Sequence, residues 1–203
     1  MKKYIRNVIL LKKRNFIPTN ERIYKMGKNI LIISGSPRKG GNSETLCDKF
    51  ASGAAESGHN VEKIWLGSKK IGFCLGCLNC ETGACPQKDD AAVIGQKMLD
   101  AEIIVLATPV YFYSMCAQLK ALIDRSVMYY PKMENKKFSF LMTMADTDEE
   151  NFKGTVASLN GFVECCPGSE VEGMICASGV YVKGEIDTTP NPEAAYKMGK
   201  EIR

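Results

Sequence analysis

At 203 residues, with 45% hydrophobic and 25% charged residues, the chain has apolar surface enough for one sizeable core and too little length for two. Its net charge of +4 is mild, and no apolar run approaches the ~20 residues that span a bilayer. Nine cysteines, an odd number outside any small loop-rich frame, exclude a secreted disulfide scaffold, so a soluble cytoplasmic domain is expected.

The charge is uneven along the chain. Residues 1–25 hold eight Lys or Arg (Lys2, Lys3, Arg6, Lys12, Lys13, Arg14, Arg22 and Lys25) against Glu21 alone, so this segment carries +7 and the remainder −3. A basic arm can bind nucleic acid or anionic lipid. Its apolar stretch Val8–Leu11 is too short for the ~7–15 residues of a signal-peptide core. Met26-Gly27-Lys28-Asn29 then leads into a strand without preamble. Residues 1–25 are therefore read as a disordered extension, or as sequence ahead of the natural start, and carry no assigned function. Residues 26–203 are read as the domain, with neither nucleic acid nor membrane as partner.

From Lys28 onward strands and helices alternate. Asn29–Ser34 is an apolar, β-branched run of the kind buried on both faces. Ser43–Ser57 repeats apolar residues at helical spacing (Leu46, Phe50, Ala54) until Gly58. Val61–Leu66 reads as the second strand, followed by a cysteine-rich loop through Pro86. Asp89–Asp100 reads as a helix with acids in its first turn, where the dipole favours them. Glu102–Thr108 is the third strand, ending at Pro109, and Ser114–Met128 the third helix. Phe138–Ala145, Asn151–Glu164, Gly173–Val180 and Pro192–Ile202 complete the series as strand, helix, strand and helix. Five strands alternating with five helices predict an α/β fold, a parallel sheet covered on both faces. Ligands of such sheets sit at the carboxyl ends of the strands, which directs attention to the loops after the first, third and fourth.

Gly35-Ser36-Pro37-Arg38-Lys39-Gly40-Gly41-Asn42-Ser43 joins a buried strand to a helix. Free N–H groups and the dipole at a helix start attract an anion, glycines allow close approach, and Ser36, Asn42, Ser43, Thr45 and Arg38 add donors and charge. No Gly-Lys-Ser/Thr ends the loop, and no Gly-x-Gly-x-x-Gly is present, which disfavours nucleoside triphosphates and dinucleotides. A pocket for one phosphate monoester and a plain Gly-rich turn with an Asn cap fit the composition equally.

Three segments together go further. Gly-Ser-Pro-Arg-x-Gly-x-Asn-Ser at 35–43, Thr-Pro-Val-Tyr-Phe at 108–112 and Gln-Leu-Lys-Ala-Leu-Ile-Asp-Arg at 118–125 closely resemble the NAD(P)H-dependent FMN reductase superfamily, which includes multimeric quinone reductases and iron–sulfur flavoproteins. The resemblance covers roughly Lys28 to Arg203. It implies a flavodoxin-like three-layer sandwich, with a five-stranded parallel sheet in the order 2-1-3-4-5. It further implies that Ser36, Arg38, Asn42, Ser43 and Thr45 hold the FMN phosphate. Pro109, Val110, Tyr111 and Phe112 would run along the isoalloxazine ring, and Ala145 and Asp146 would close its other side. It implies NAD(P)H as electron donor, a small-molecule acceptor such as a quinone or flavin, and a homodimer or homotetramer. Lys120, Asp124 and Arg125 are read as helix-packing or subunit-interface residues.

Cys74-x2-Cys77-x2-Cys80-x4-Cys85 is the most ambiguous feature. Four thiolates can hold a [4Fe–4S] cluster or a tetrahedral zinc ion, and Cys85-Pro86 echoes the Cys-Pro of bacterial ferredoxins. A redox disulfide such as Cys74–Cys77, or a surface loop of free thiols, also fits the spacing. The remaining cysteines read as small apolar residues. The lone His59 follows Ser57-Gly58 in a surface turn, which disfavours chemistry that needs an imidazole. The leading expectation is an FMN-dependent oxidoreductase whose flavin carries the chemistry, with no catalytic side chain required. The alternative is an iron–sulfur flavoprotein electron carrier.

Overall fold

The computed structural model describes Ile9–Leu10 and residues 27–203. Ile9–Leu10 forms β1, the one part of the basic segment 1–25 among the described residues. Thereafter come β2 (Asn29–Ser34), α1 (Asn42–Glu56), β3 (Asn60–Trp65), α2 (Asp90–Asp100), β4 (Ile103–Tyr111), β5 (Ser114–Met115), α3 (Ala117–Arg125), β6 (Lys137–Thr143), α4 (Lys153–Glu164), β7 (Glu170–Ala177) and α5 (Asn191–Lys200).

The parallel strands lie in the order β3-β2-β4-β6-β7. The sheet nevertheless holds seven strands among the described residues, not the five expected. β1 adds antiparallel to the edge of β7, and β5 pairs antiparallel with the end of β4. Because side chains alternate across a strand, each apolar run supplies both faces at once. Ile30, Ile32, Val105 and Leu141 meet Leu46, Phe50 and Met198 of α1 and α5. Leu31, Ile33, Leu106 and Phe140 meet Ile94, Leu122 and Leu159 of α2, α3 and α4. The result is the three-layer α/β sandwich of the flavodoxin type.

Glycines set how closely two elements approach. A Cβ on Gly53 of α1 would lie 2.0 Å from the Tyr196 carbonyl oxygen of α5, and one on Gly199 would lie 2.1 Å from that of Phe50. The two helices therefore cross backbone against backbone.

The helix expected over 114–128 begins later than predicted. Val110–Tyr111 and Ser114–Met115 form a hairpin closed by Phe112 and Tyr113, both at positive φ (47° and 62°). That is the turn conformation usually taken by Asn-Gly, so no turn residue announces it. Strand β4 also runs past the predicted stop at Pro109. Gly35 N–H donates to the Ala107 carbonyl at 2.8 Å, which places Pro109, two residues on, facing the same side, where pairing with β2 has ended. A missing N–H costs no ladder bond there.

Candidate functional site

The loop after β2 is folded on itself. The Ser36 hydroxyl accepts from the Arg38 N–H at 3.3 Å, and Trp65, at the end of β3, donates its indole N–H to the Ser36 carbonyl at 2.7 Å. Helix α1 starts from Gly41 with no side-chain cap, so the Asn cap of the plain-turn alternative is absent. The N–H groups of Asn42 and Ser43 find no acceptor among the described residues. Asn42 instead turns its side chain sideways: its amide donates to the Val182 carbonyl at 3.0 Å and accepts from the Gly184 N–H at 3.0 Å. The Ser43 hydroxyl lies 2.6 Å from that of Thr143 on β6, and Thr45 reaches back to the Gly41 carbonyl at 3.5 Å. These side chains shape the cradle, and the backbone offers the donors.

The cradle is cationic. Arg38 donates to the Tyr181 carbonyl at 2.8 Å and lies over the Tyr181 ring, Lys39 sits over the Trp65 ring, and Lys183 approaches the Lys39 carbonyl at 3.4 Å. Glu44 is the nearest opposing charge. Burial pushes its carboxyl up, but the Gly40 N–H and Lys63 outweigh that and hold it below the usual carboxylate range. It stays ionised and is neutralised by Lys63.

Beside the cradle stands the hairpin. Pro109 is buried in register with Thr143, Val110 is half-buried, and Tyr111, Phe112 and Tyr113 project outward, Phe112 fully exposed. A Cβ on Gly154 of α4 would lie 2.5 Å from the Tyr113 carbonyl oxygen, so α4 supports the turn from beneath. Strained turns of bulky residues cost of order 1–3 kcal/mol per residue and gather at functional sites. Thr108 secures the hairpin base, accepting from the Cys116 N–H at 2.9 Å, and the Cys116 thiol donates to the Gly35 carbonyl at 3.0 Å. Cradle and hairpin are thereby joined through the start of α3.

Ala145 and Asp146 are exposed beyond β6. The Asp146 carboxylate is occupied by the Asp148 N–H and the Asn151 amide, and its carbonyl accepts from the Gly179 N–H at 2.9 Å. The segment after β7 was not anticipated as part of the site, yet Tyr181, Val182 and Gly184 touch Arg38 and Asn42 directly. Glu185 orders that segment by accepting from the Tyr181 and Val182 N–H groups. No local sequence signal marks it, because the approach is made between residues about 140 apart. Surface depressions beside Trp65 and Val93, and beside Lys49 and Tyr196, take in none of the predicted flavin-site residues. Tyr111 and Phe112 at the end of β4 and Tyr181 after β7 are exposed. His59, by contrast, accepts from the Lys28 N–H at 3.0 Å and lies 3.2 Å from the Ile202 carbonyl, a structural use of its ring.

The cysteine loop lies between β3 and α2. Cys74 and Cys77 are exposed, Cys80 and Cys85 half-buried, and the chain reverses at Gly76 and Leu78, both at φ 60°. All nine cysteines are free thiols, so the Cys74–Cys77 disulfide, one of the alternatives for this loop, is not formed here. Four thiols in one loop suit an iron–sulfur cluster in donor type and number. Among the described residues no three His, Cys, Asp or Glu side chains converge as a metal site, so the exposed tip would have to close on a metal. The root is held: Arg125 pairs with Asp89 and reaches Cys85. Burial pushes the Asp89 carboxyl up, yet the Arg125 guanidinium and the Gly72 and Ala91 N–H groups hold it below its usual range. Of the two readings given for Arg125, helix packing and subunit interface, this buried contact inside the chain fits the first.

The family described as NADPH-dependent FMN reductase matches residues 28–151. An iron-sulfur flavoprotein of Methanosarcina thermophila is 39% identical over 170 residues, covering 82% of this chain and 85% of that protein. One from Methanocaldococcus jannaschii is 45% identical over 98 residues, 48% of this chain and 51% of the relative. The matched stretch spans about half the length of that relative and of two from Archaeoglobus fulgidus. Among solved structures, an NAD(P)H:quinone oxidoreductase from Methanothermobacter marburgensis superposes with a TM-score of 0.71 at 19% identity, over 87% of this chain and 98% of that one, a likeness of fold.

Proposed function

Because the chain belongs to the NADPH-dependent FMN reductase family, we propose that it binds FMN on the shelf above β2, β4 and β6 and passes electrons from NAD(P)H to a small acceptor such as a quinone or flavin. The observation that carries this reading is the start of α1, where the N–H groups of Asn42 and Ser43 have no acceptor among the described residues and Arg38 and Lys39 lie in the loop just before them. That arrangement fits a phosphate monoester. Ser36, Asn42, Ser43 and Thr45 hold the cradle in shape, while Pro109, Val110, Tyr111 and Phe112 offer an apolar rail whose last three residues carry backbone N–H donors for the ring. Ala145 and Asp146 bound the opposite side. Bound FMN would supply acceptance of two electrons from a nicotinamide and their return to an acceptor. The protein's part is to hold the phosphate, orient the ring and limit water on one face. The exposed Tyr111, Phe112 and Tyr113 suit burial against a second copy, so a cytoplasmic homo-oligomer completes the proposal.

A second reading is favoured by the cysteine loop: an iron–sulfur flavoprotein electron carrier, with Cys74, Cys77, Cys80 and Cys85 as the ligands. One experiment separates the two. Purified without oxygen and mixed with NADPH, a flavin reductase bleaches its flavin bands within the mixing experiment. A broad brown absorption beneath the flavin, bleached by dithionite and hardly by NADPH, moves the electron-carrier reading to first place. Flavin bands that neither reductant bleaches would contradict both.

A further inference from the structure

Arg125 is a cation where a cation is costly. It closes α3 with its side chain 3% exposed, and its partner Asp89 is 14% exposed. A guanidinium persists in such a place only when its N–H groups are satisfied. Here every partner belongs to one loop. One terminal nitrogen donates to Asp89 at 2.7 Å and to the Gly72 carbonyl at 2.9 Å. The other donates to Asp89 at 3.0 Å and to the Cys85 sulfur at 3.4 Å. Gly72 stands two residues before the first cysteine of the loop and Asp89 four after the last. Asp89 also accepts from the Gly72 N–H at 2.8 Å. The neck of the loop is therefore drawn shut around one side chain, while the tip bearing Cys74 and Cys77 stays exposed.

We propose that Arg125 is the positioning residue of the cysteine site: it closes the neck of the loop and donates a hydrogen bond to the Cys85 sulfur, which sets the electron-accepting tendency of a cluster bound there. This rests on the iron–sulfur reading above. An N–H directed at a ligand sulfur withdraws electron density and favours the reduced cluster, so it raises the reduction potential. The planar fork matters as much as the charge. Lysine can pair with Asp89 but cannot also serve Gly72 and Cys85 in one plane. The same helix touches the flavin shelf at its start, through Cys116 on Gly35 and Thr108, about 13 Å of helix away. One rigid element thus fixes both candidate redox sites.

The test uses the full chain, reconstituted with iron and sulfide without oxygen, as wild type and R125K. Iron release to a chelator and the cluster potential, followed by electron paramagnetic resonance, are the readouts. R125K is expected to release iron about 10–100-fold faster, the scale of losing an outer-shell partner, and to shift the potential downward with unchanged circular dichroism. A salt bridge with a purely structural role would leave the potential where it was. R125K with wild-type release and potential overturns the proposal while leaving the iron–sulfur reading in place. A wild-type chain that takes up no iron overturns that reading, and the proposal with it. If R125K does not fold, Asp89→Asn opens the neck but keeps the Arg125–Cys85 bond. Faster release at nearly wild-type potential then supports the proposal, and unchanged release overturns it.

Discussion

Replacing Gly53 with alanine is expected to lower the stability of the domain by about 3 kcal/mol, the upper range for overpacking a closed contact. The added methyl would lie 2.0 Å from a backbone carbonyl oxygen of α5, and backbone cannot rotate out of the way as a side chain can. Helices α1 and α5 must separate, and the cost falls on the face holding Leu46, Phe50 and Met198. Since the first turn of α1 is the proposed phosphate cradle, FMN affinity should fall as well. Gly161→Ala serves as the control: it lies within α4, nothing stands within 4 Å of its added methyl, and alanine there should stabilise by about 0.5–1 kcal/mol. Denaturant midpoints for the two variants give the comparison. A Gly53→Ala protein as stable as Gly161→Ala would mean that the close crossing of α1 and α5 is misdescribed.

The second large effect concerns the ligand. Riboflavin, which lacks only the phosphate, is expected to bind about 100-fold more weakly than FMN. The cradle offers two N–H groups without acceptors among the described residues, a helix start and the cations Arg38 and Lys39, while Lys63 neutralises Glu44. Hydrogen bonds to a charged group are each worth about 1.5–3 kcal/mol, so losing two of them costs about 3 kcal/mol or more. Fluorescence titration of both flavins against the flavin-free protein makes the measurement. Equal affinities would move the phosphate away from α1 and leave the hairpin as the only anchor.

The parallel strands and their flanking helices were legible because each is an uninterrupted apolar run whose alternate residues feed the two cores, as Leu31 and Ile32 do. The hairpin was not. Phe112 and Tyr113 adopt positive φ without the Gly or Asn that would signal it, held there by Gly154 and the pairing of Val110 with Met115. The glycine-rich loop announced itself by composition, but composition could not say how its side chains are used. Asn42 and Ser43 are turned toward Val182 and Thr143, partners about 140 and 100 residues away. The cysteines were visible as four thiols at short spacing. Their anchor was hidden, because Arg125 sits 40 residues beyond Cys85 in a helix whose pattern suggested only packing. Regular elements are dictated by neighbours in sequence, and the site is dictated by neighbours in space.

The most direct measurement is the visible absorption spectrum of the protein purified without oxygen, with its flavin released and quantified per chain. The account predicts resolved flavin bands, or their appearance on adding FMN, at one FMN for each chain. A colourless protein that remains flavin-free after incubation with excess FMN would contradict it.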